Sequence, residues 1–143
     1  MAVEKIVLDA SVVSKWYLLE EHSDMALRFR NAHISGNIMI AAPILLLYEA
    51  LNALRYSGVY TKDELVKVAE SLSKYGLELW GLTDRLTEEA VSLSFDYAIT
   101  IYDATYVALA LILKTSLYTA DEGLVRKLRP LNVVKHISEG DAV

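Results

Sequence analysis

The chain has 143 residues, 54% of them hydrophobic and 23% charged, which is the size of one domain with enough apolar matter for a core and excludes a disordered polymer. It has no cysteine, so disulfides, thiolate metal sites and cysteine nucleophiles are excluded together. The net charge of −5 weighs against a surface that binds nucleic acid everywhere, while an acidic metal site ringed by a few cations is compatible with it.

Lys5–Leu8 is a short apolar run of branched residues ended by Asp9 and Ser11, the pattern of a buried strand feeding a turn. Val12–Glu20 and Asp24–Ile34 carry helical spacing. Asn37–Ala41 reads as a second strand, stopped before Pro43, and Ile44–Tyr56 as a helix ended near Gly58. Thr61–Tyr75 is a further helix: Thr61 and Glu64 make a capping box, Leu65, Ala69 and Leu72 its inner face, and Gly76 its stop. Glu78–Leu82 is the third strand, followed by helices at Asp84–Tyr97 and Ile101–Leu113. Ser116–Thr119 is a fourth strand, Glu122–Leu128 a short helix ended by Pro130, and Asn132–Lys135 a fifth strand.

The opening residues show no basic stretch followed by an apolar one. The longest apolar stretches, Ile38–Tyr48 (broken by Pro43) and Ala104–Leu113, fall short of the roughly 18–20 residues of a membrane span. The expectation is a single domain over residues 1–143, cytoplasmic and without a membrane segment. Strands that are apolar on both faces and separated by helices predict an α/β fold of three layers, α/β/α, around a mainly parallel sheet of four to five short strands. In such sheets ligands bind beyond the carboxyl ends of the strands.

Asp9 follows the first strand and Asp121 the fourth, so both belong at that edge. Glu49 lies in an otherwise apolar helix, where only Glu49, Asn52 and Arg55, spaced by three, form a polar stripe. Asp103 opens the equally apolar helix through Leu113. Each acid also has a plain structural reading. Asp9 and Asp121 can cap helices, Asp103 follows Thr100 in a variant capping box, and Glu49 can pair with Arg55. Together, acids that converge repel one another, and a hard divalent cation with oxygen ligands removes that repulsion. Phosphoryl transfer is the chemistry that calls for such a site.

The segments Asp9-Ala-Ser11-Val-Val-Ser-Lys15-Trp16-Tyr17 with Glu20-Glu21, Ala42-Pro43 through Tyr48-Glu49-Ala-Leu-Asn52-Ala-Leu-Arg55, Tyr102-Asp103-Ala-Thr-Tyr106, and Thr119-Ala-Asp121-Glu122 resemble, in this order, the motifs of VapC-type PIN domains. The resemblance runs from about Val7 to Leu128. It implies a PIN-like fold and Mg²⁺- or Mn²⁺-dependent cleavage of RNA. It maps the acidic quartet, as metal ligands and catalytic groups, onto Asp9, Glu49, Asp103 and Asp121. Ser11 and Thr119 match polar positions beside that quartet, and Asn52 sits where it can support Glu49 from the next turn. It further implies a toxin restrained by a VapB-like antitoxin, and a homodimer. Lys15 and Arg55, with Arg28 and Lys114, are the candidate phosphate contacts. A competing reading is a phospho-receiver-like signalling module, against which Asp9 lacks an acidic neighbour and Asp121 stands where a receiver has lysine chemistry. The other is a PIN-like scaffold without activity, against which the acidic quartet is intact.

Overall fold

The computed structural model describes residues 3–143. Five strands form one sheet: β1 (Glu4–Leu8), β2 (Ile38–Pro43), β3 (Glu78–Trp80), β4 (Leu117–Thr119) and β5 (Val134–His136). Their order is β3-β2-β1-β4-β5, and every pairing is parallel. Seven α-helices flank the sheet: α1 (Ala10–Val13), α2 (Ser23–Ile34), α3 (Leu45–Tyr56), α4 (Lys62–Lys74), α5 (Asp84–Tyr97), α6 (Ile101–Leu113) and α7 (Glu122–Lys127). The three-layer α/β architecture expected from the alternation is present, with the sheet wholly parallel.

The chain runs outward from β1 through β2 to β3, then returns to lay β4 on the other side of β1 and β5 beyond it. The winding therefore reverses between β1 and β4, and the crevice outside their carboxyl ends is where an open parallel sheet offers a ligand site. Asp9 and Asp121 flank that crevice because Asp9 directly follows β1 and Asp121 follows β4 after Ala120.

Burial explains why the elements form where they do. Ile6, Val7 and Leu8 are buried on both faces of β1, and α6 buries every residue from Ala104 to Ala110 as it packs on β1, β2 and β4. Thr61 caps α4 as its capping box predicts, with Glu64 N–H donating to Thr61 Oγ1 (3.2 Å) and Thr61 N–H to Glu64 Oε1 (2.9 Å). Val68 joins Leu72 as its most buried residue, while Leu65 and Ala69 are half-buried. Gly76 ends the segment at φ +68°, a left-handed conformation that glycine adopts without strain.

Several boundaries differ from the expectation, β3 among them, which ends at Trp80 rather than Leu82. The helix expected over Val12–Glu20 is one α turn followed by a 3₁₀ turn, Ser14–Trp16. Tertiary contacts override its helical spacing: Trp16 is buried and donates Nε1–H to Ala26 O on α2 (2.8 Å), and Ser23 Oγ–H bonds Leu18 O (2.8 Å) to close the loop. β2 runs through Pro43 instead of stopping before it. Ile44 N–H donates to Trp80 O on the β3 side (2.9 Å), so the missing donor of Pro43 points toward β1, where pairing has already ended at Val7↔Ala41. β5 is shifted to Val134–His136, and a final 3₁₀ segment, Ile137–Ala142, packs on α2.

Candidate active site

Four carboxylates reach the crevice from four different elements. Asp9 caps α1 directly after β1, Glu49 lies in the second turn of α3, Asp103 in the first turn of α6, and Asp121 caps α7 after β4. Asp9, Glu49 and Asp103 are half-buried, and Asp121 is exposed.

The ends of β1 and β4 are stitched together by hydroxyls. Thr119, fully buried, donates Oγ1–H to Asp9 Oδ2 at 2.6 Å and accepts Asp121 N–H at 3.1 Å. Ser11 donates Oγ–H to the same Asp9 Oδ2 (3.1 Å) and accepts Ala120 N–H (3.0 Å). These bonds aim the Asp9 carboxylate and lock the backbone that carries Asp121. Strand-end acids and hydroxyls are thus one network.

The capping readings hold as well. Asp9 Oδ1 accepts Ser11 N–H (3.4 Å), Asp121 Oδ1 accepts Leu124 N–H (3.1 Å), and Thr100 Oγ1 accepts Asp103 N–H (3.0 Å). A cap takes one face of a carboxylate at most, so capping and site roles coexist in these residues.

Glu49 finds its partner in a residue that carries no assigned role in the sequence reading. Tyr106, buried on α6, donates Oη–H to Glu49 Oε1 at 2.8 Å. Tyr106 lies three residues after Asp103, on the same face of α6, and that spacing was the available signal. Burial, then the Asp9 and Glu49 charges, push the Tyr106 phenol far up, so it stays protonated and able to donate. Asn52 is exposed and makes no hydrogen bond to Glu49 among the described residues.

The acids lie near enough for their charges to act on one another. Burial first, and then repulsion from Asp9 and Asp103, hold the Glu49 carboxyl above its ordinary value, against the Tyr106 bond that lowers it. Burial, then Asp9 and Asp121, do the same to Asp103, opposed by the Lys127 ammonium and the Thr100 hydrogen bond. Lys127 is a cation beside the quartet that the sequence reading passed over. With Thr100, Asp103 and Asp121 it lines a cavity of about 270 Å³ between the α5–α6 corner and α7.

The expected phosphate contacts lie elsewhere or are engaged. Lys15 is buried and pairs with Glu20 Oε1 at 3.0 Å. Arg28 pairs with Asp141 at 2.7 Å. Lys114 ends α6 at the opposite end from Asp103, roughly 16 Å along the axis. Arg55 lies over the Tyr56 ring, 5.1 Å from its centroid, and lines a cavity of about 610 Å³ between α3 and α4. That cavity is larger than the one at the acids, but no carboxylate lines it.

Among the described residues no group of three or more acids or histidines is placed to hold a metal ion. The donor chemistry nevertheless suits a hard divalent cation. All four groups offer carboxylate oxygen, and Mg²⁺ takes one or two carboxylates directly while waters and phosphate fill the rest. The raised Glu49 and Asp103 are carboxyls whose ionised forms a bound cation would favour.

Known proteins are similar to this chain in sequence or in fold. The PIN domain family model matches residues 6–129. Ribonuclease VapC3 of Pyrobaculum aerophilum is 32% identical over 133 residues, covering 89% of this chain and 97% of that protein. The crystal structure of PAE2754 from Pyrobaculum aerophilum superposes with a TM-score of 0.63 at 26% identity, over 100% of this chain and 98% of that one. A toxin–antitoxin complex from Klebsiella pneumoniae shares the fold at a TM-score of 0.69 and 14% identity, over 92% and 97% of the two chains.

Proposed function

We propose that this chain, which belongs to the PIN-domain family, is a divalent-metal-dependent endoribonuclease and the toxin of a VapBC-type toxin–antitoxin pair. The observation that carries the reading is the convergence of Asp9, Glu49, Asp103 and Asp121 at the winding reversal, with Thr119 and Tyr106 aiming two of them. Support for RNA as substrate comes from the relative named a ribonuclease, and support for an antitoxin partner from the fold shared with a toxin–antitoxin complex.

Mg²⁺ or Mn²⁺ would be held by Asp9, Asp103 and Asp121, directly or through water. When bound, such a cation supplies charge neutralisation at the scissile phosphate and a water of lowered pKa. Glu49 would either complete the ligand set or orient the attacking water, with Tyr106 holding its Oε1 in place. Thr119 and Ser11 fix the Asp9 rotamer, which keeps that carboxylate aimed into the crevice.

Two further elements belong to the proposal. Val91 and Phe95, one turn apart on α5, and Tyr102 on α6 are exposed, an apolar surface that a second copy would cover in a homodimer. Among the described residues no single helix is long and apolar enough to cross a membrane, and an RNA substrate would place the protein in the cytoplasm.

The test incubates purified protein with structured RNA and a labelled single-stranded oligonucleotide in Mn²⁺, Mg²⁺ or EDTA, beside Asp9→Asn and Asp103→Asn. Cleavage that requires metal and is lost in both variants supports the reading. Cleavage that survives both variants marks a contaminating nuclease. The absence of both cleavage and a Mn²⁺-induced rise in melting temperature would overturn it.

A further inference from the structure

The quartet concentrates negative charge where a polyanion is to be cut, in a chain whose total is already −5. A bound cation covers the scissile phosphate, but the flanking phosphates still need positive charge. The four cations that the sequence singles out do not provide an obvious path, since Lys15 and Arg28 are ion-paired, Lys114 is remote and Arg55 lies over the Tyr56 ring.

The structure carries three other cations close by. Arg126 and Lys127 close α7, and Arg129 follows in the next turn. All three are exposed, and none forms an ion pair among the described residues. Asp121 caps the same short helix that ends with Arg126 and Lys127, and Arg129 opens the 3₁₀ turn that follows it. The side chains divide across it. Lys127 lines the 270 Å³ cavity with Asp103 and Asp121, and its Nζ donates only to Ala98 O (3.3 Å). Arg126 and Arg129 line a second cavity of about 330 Å³ with His136 and Ser138, where Glu122 is the acid that faces them. α7 is therefore a basic ridge with a hollow on each side, one of which opens on the quartet.

We infer that Arg126, Lys127 and Arg129 form the phosphate track of this protein, along which a single-stranded RNA backbone crosses α7 to reach the acids. The inference rests on the nuclease reading above and adds the path of the strand. Lys127 takes the phosphate nearest the scissile bond, and Arg126 and Arg129 take those beyond it. These are positioning groups: they hold the strand and leave the chemistry to the carboxylates.

The experiment measures binding of a labelled oligouridylate by fluorescence anisotropy in EDTA, across a salt series, and separately its cleavage in Mn²⁺. The proteins are wild type, Arg126→Gln, Lys127→Gln, Arg129→Gln, their triple combination, and Lys114→Gln as an exposed control. Each neutralised contact makes the slope of log K against log salt shallower by about 0.7, so the triple variant loses roughly 2. The track predicts that loss, with a raised KM and unchanged melting temperature, and no change for Lys114→Gln. If the triple variant fails to fold, the three single variants carry the test. Wild type that cleaves RNA while the ridge variants keep full affinity and slope overturns the track alone. An equal loss in Lys114→Gln overturns it too, because any exposed cation would then serve. Wild type that neither binds nor cleaves RNA overturns the nuclease reading and the track with it.

Discussion

Tyr106 and Glu49, 57 residues apart in the chain, meet across α6 and α3 through a 2.8 Å hydrogen bond from the phenol to Oε1. Glu49 sits against burial and two neighbouring acids, and this bond is the contact that favours its ionised form. Removing the hydroxyl alone, in Tyr106→Phe, keeps the ring that fills the core and withdraws the donor. A hydrogen bond to a charged group contributes about 1.5–3 kcal/mol. If that bond positions Glu49 during turnover, kcat falls by roughly 10- to 100-fold while RNA affinity in EDTA stays at the wild-type value. Steady-state cleavage beside anisotropy separates the two, and a kcat within twofold of wild type would remove Tyr106 from the site.

Glu49 and Asp103 also set a pH dependence. Their ordinary values are 4.5 and 3.8, and the folded chain raises both, burial being the first cause in each. The folded state therefore holds these protons more tightly than the unfolded state. Their contribution favours the fold at low pH and is lost as pH rises from the ordinary value through the raised one. Metal-free Glu49→Gln and Asp103→Asn proteins should melt higher than wild type at pH 7, by a few degrees, and the difference should shrink toward pH 4. Thermal melts in EDTA from pH 4 to 8 check this. A lower melting temperature for both variants at pH 7 would contradict the repulsion on which the metal argument rests.

Much of the site's address is visible in the chain itself, because Asp9 and Asp121 directly follow apolar runs and an open parallel sheet binds at those ends. That β1 and β4 are neighbours is not visible, since strand order is set by long-range packing that no local pattern encodes. Tyr106 escaped assignment because a tyrosine inside an apolar helix has the pattern of a core residue, and only its Oη–Glu49 contact separates the two roles. Lys127 escaped because an exposed lysine resembles any solvated charge until the fold brings it beside Asp103. The expected helix through Glu20 failed for a related reason: its periodicity is real, but Trp16 leaves the helical path to bond α2.

Thr119 tests the stitching of the two strands. Its hydroxyl is fully buried, donates to Asp9 Oδ2 and accepts from Asp121 N–H. Thr119→Val preserves shape and leaves Asp121 N–H without its partner in a part-buried setting. The expected cost is about 1–3 kcal/mol, read from urea unfolding. Cleavage should fall as well, because Asp9 loses its shortest bond. Thr119→Ser, which keeps the hydroxyl, should recover most of the activity. A valine variant as active and as stable as wild type would mean that Ser11 alone suffices to aim Asp9.

Lys15 gives the contrasting case. The sequence reading places it among the phosphate contacts, yet the structure buries it at 8% exposure with Nζ 3.0 Å from Glu20 Oε1. Contacting a phosphate would require breaking that pair and bringing the ammonium out of a buried position. Lys15→Met keeps an unbranched side chain of similar length and removes the charge. Glu20 is exposed enough to remain solvated, so the lost pair costs only about 1 kcal/mol or less. The expected result is a slightly lower melting temperature with RNA affinity and salt slope equal to wild type, the reverse of the pattern at Arg126, Lys127 and Arg129. A slope made shallower by about 0.7 in Lys15→Met would show instead that the lysine leaves Glu20 when RNA binds, and would put the 3₁₀ turn after α1 on the strand's path.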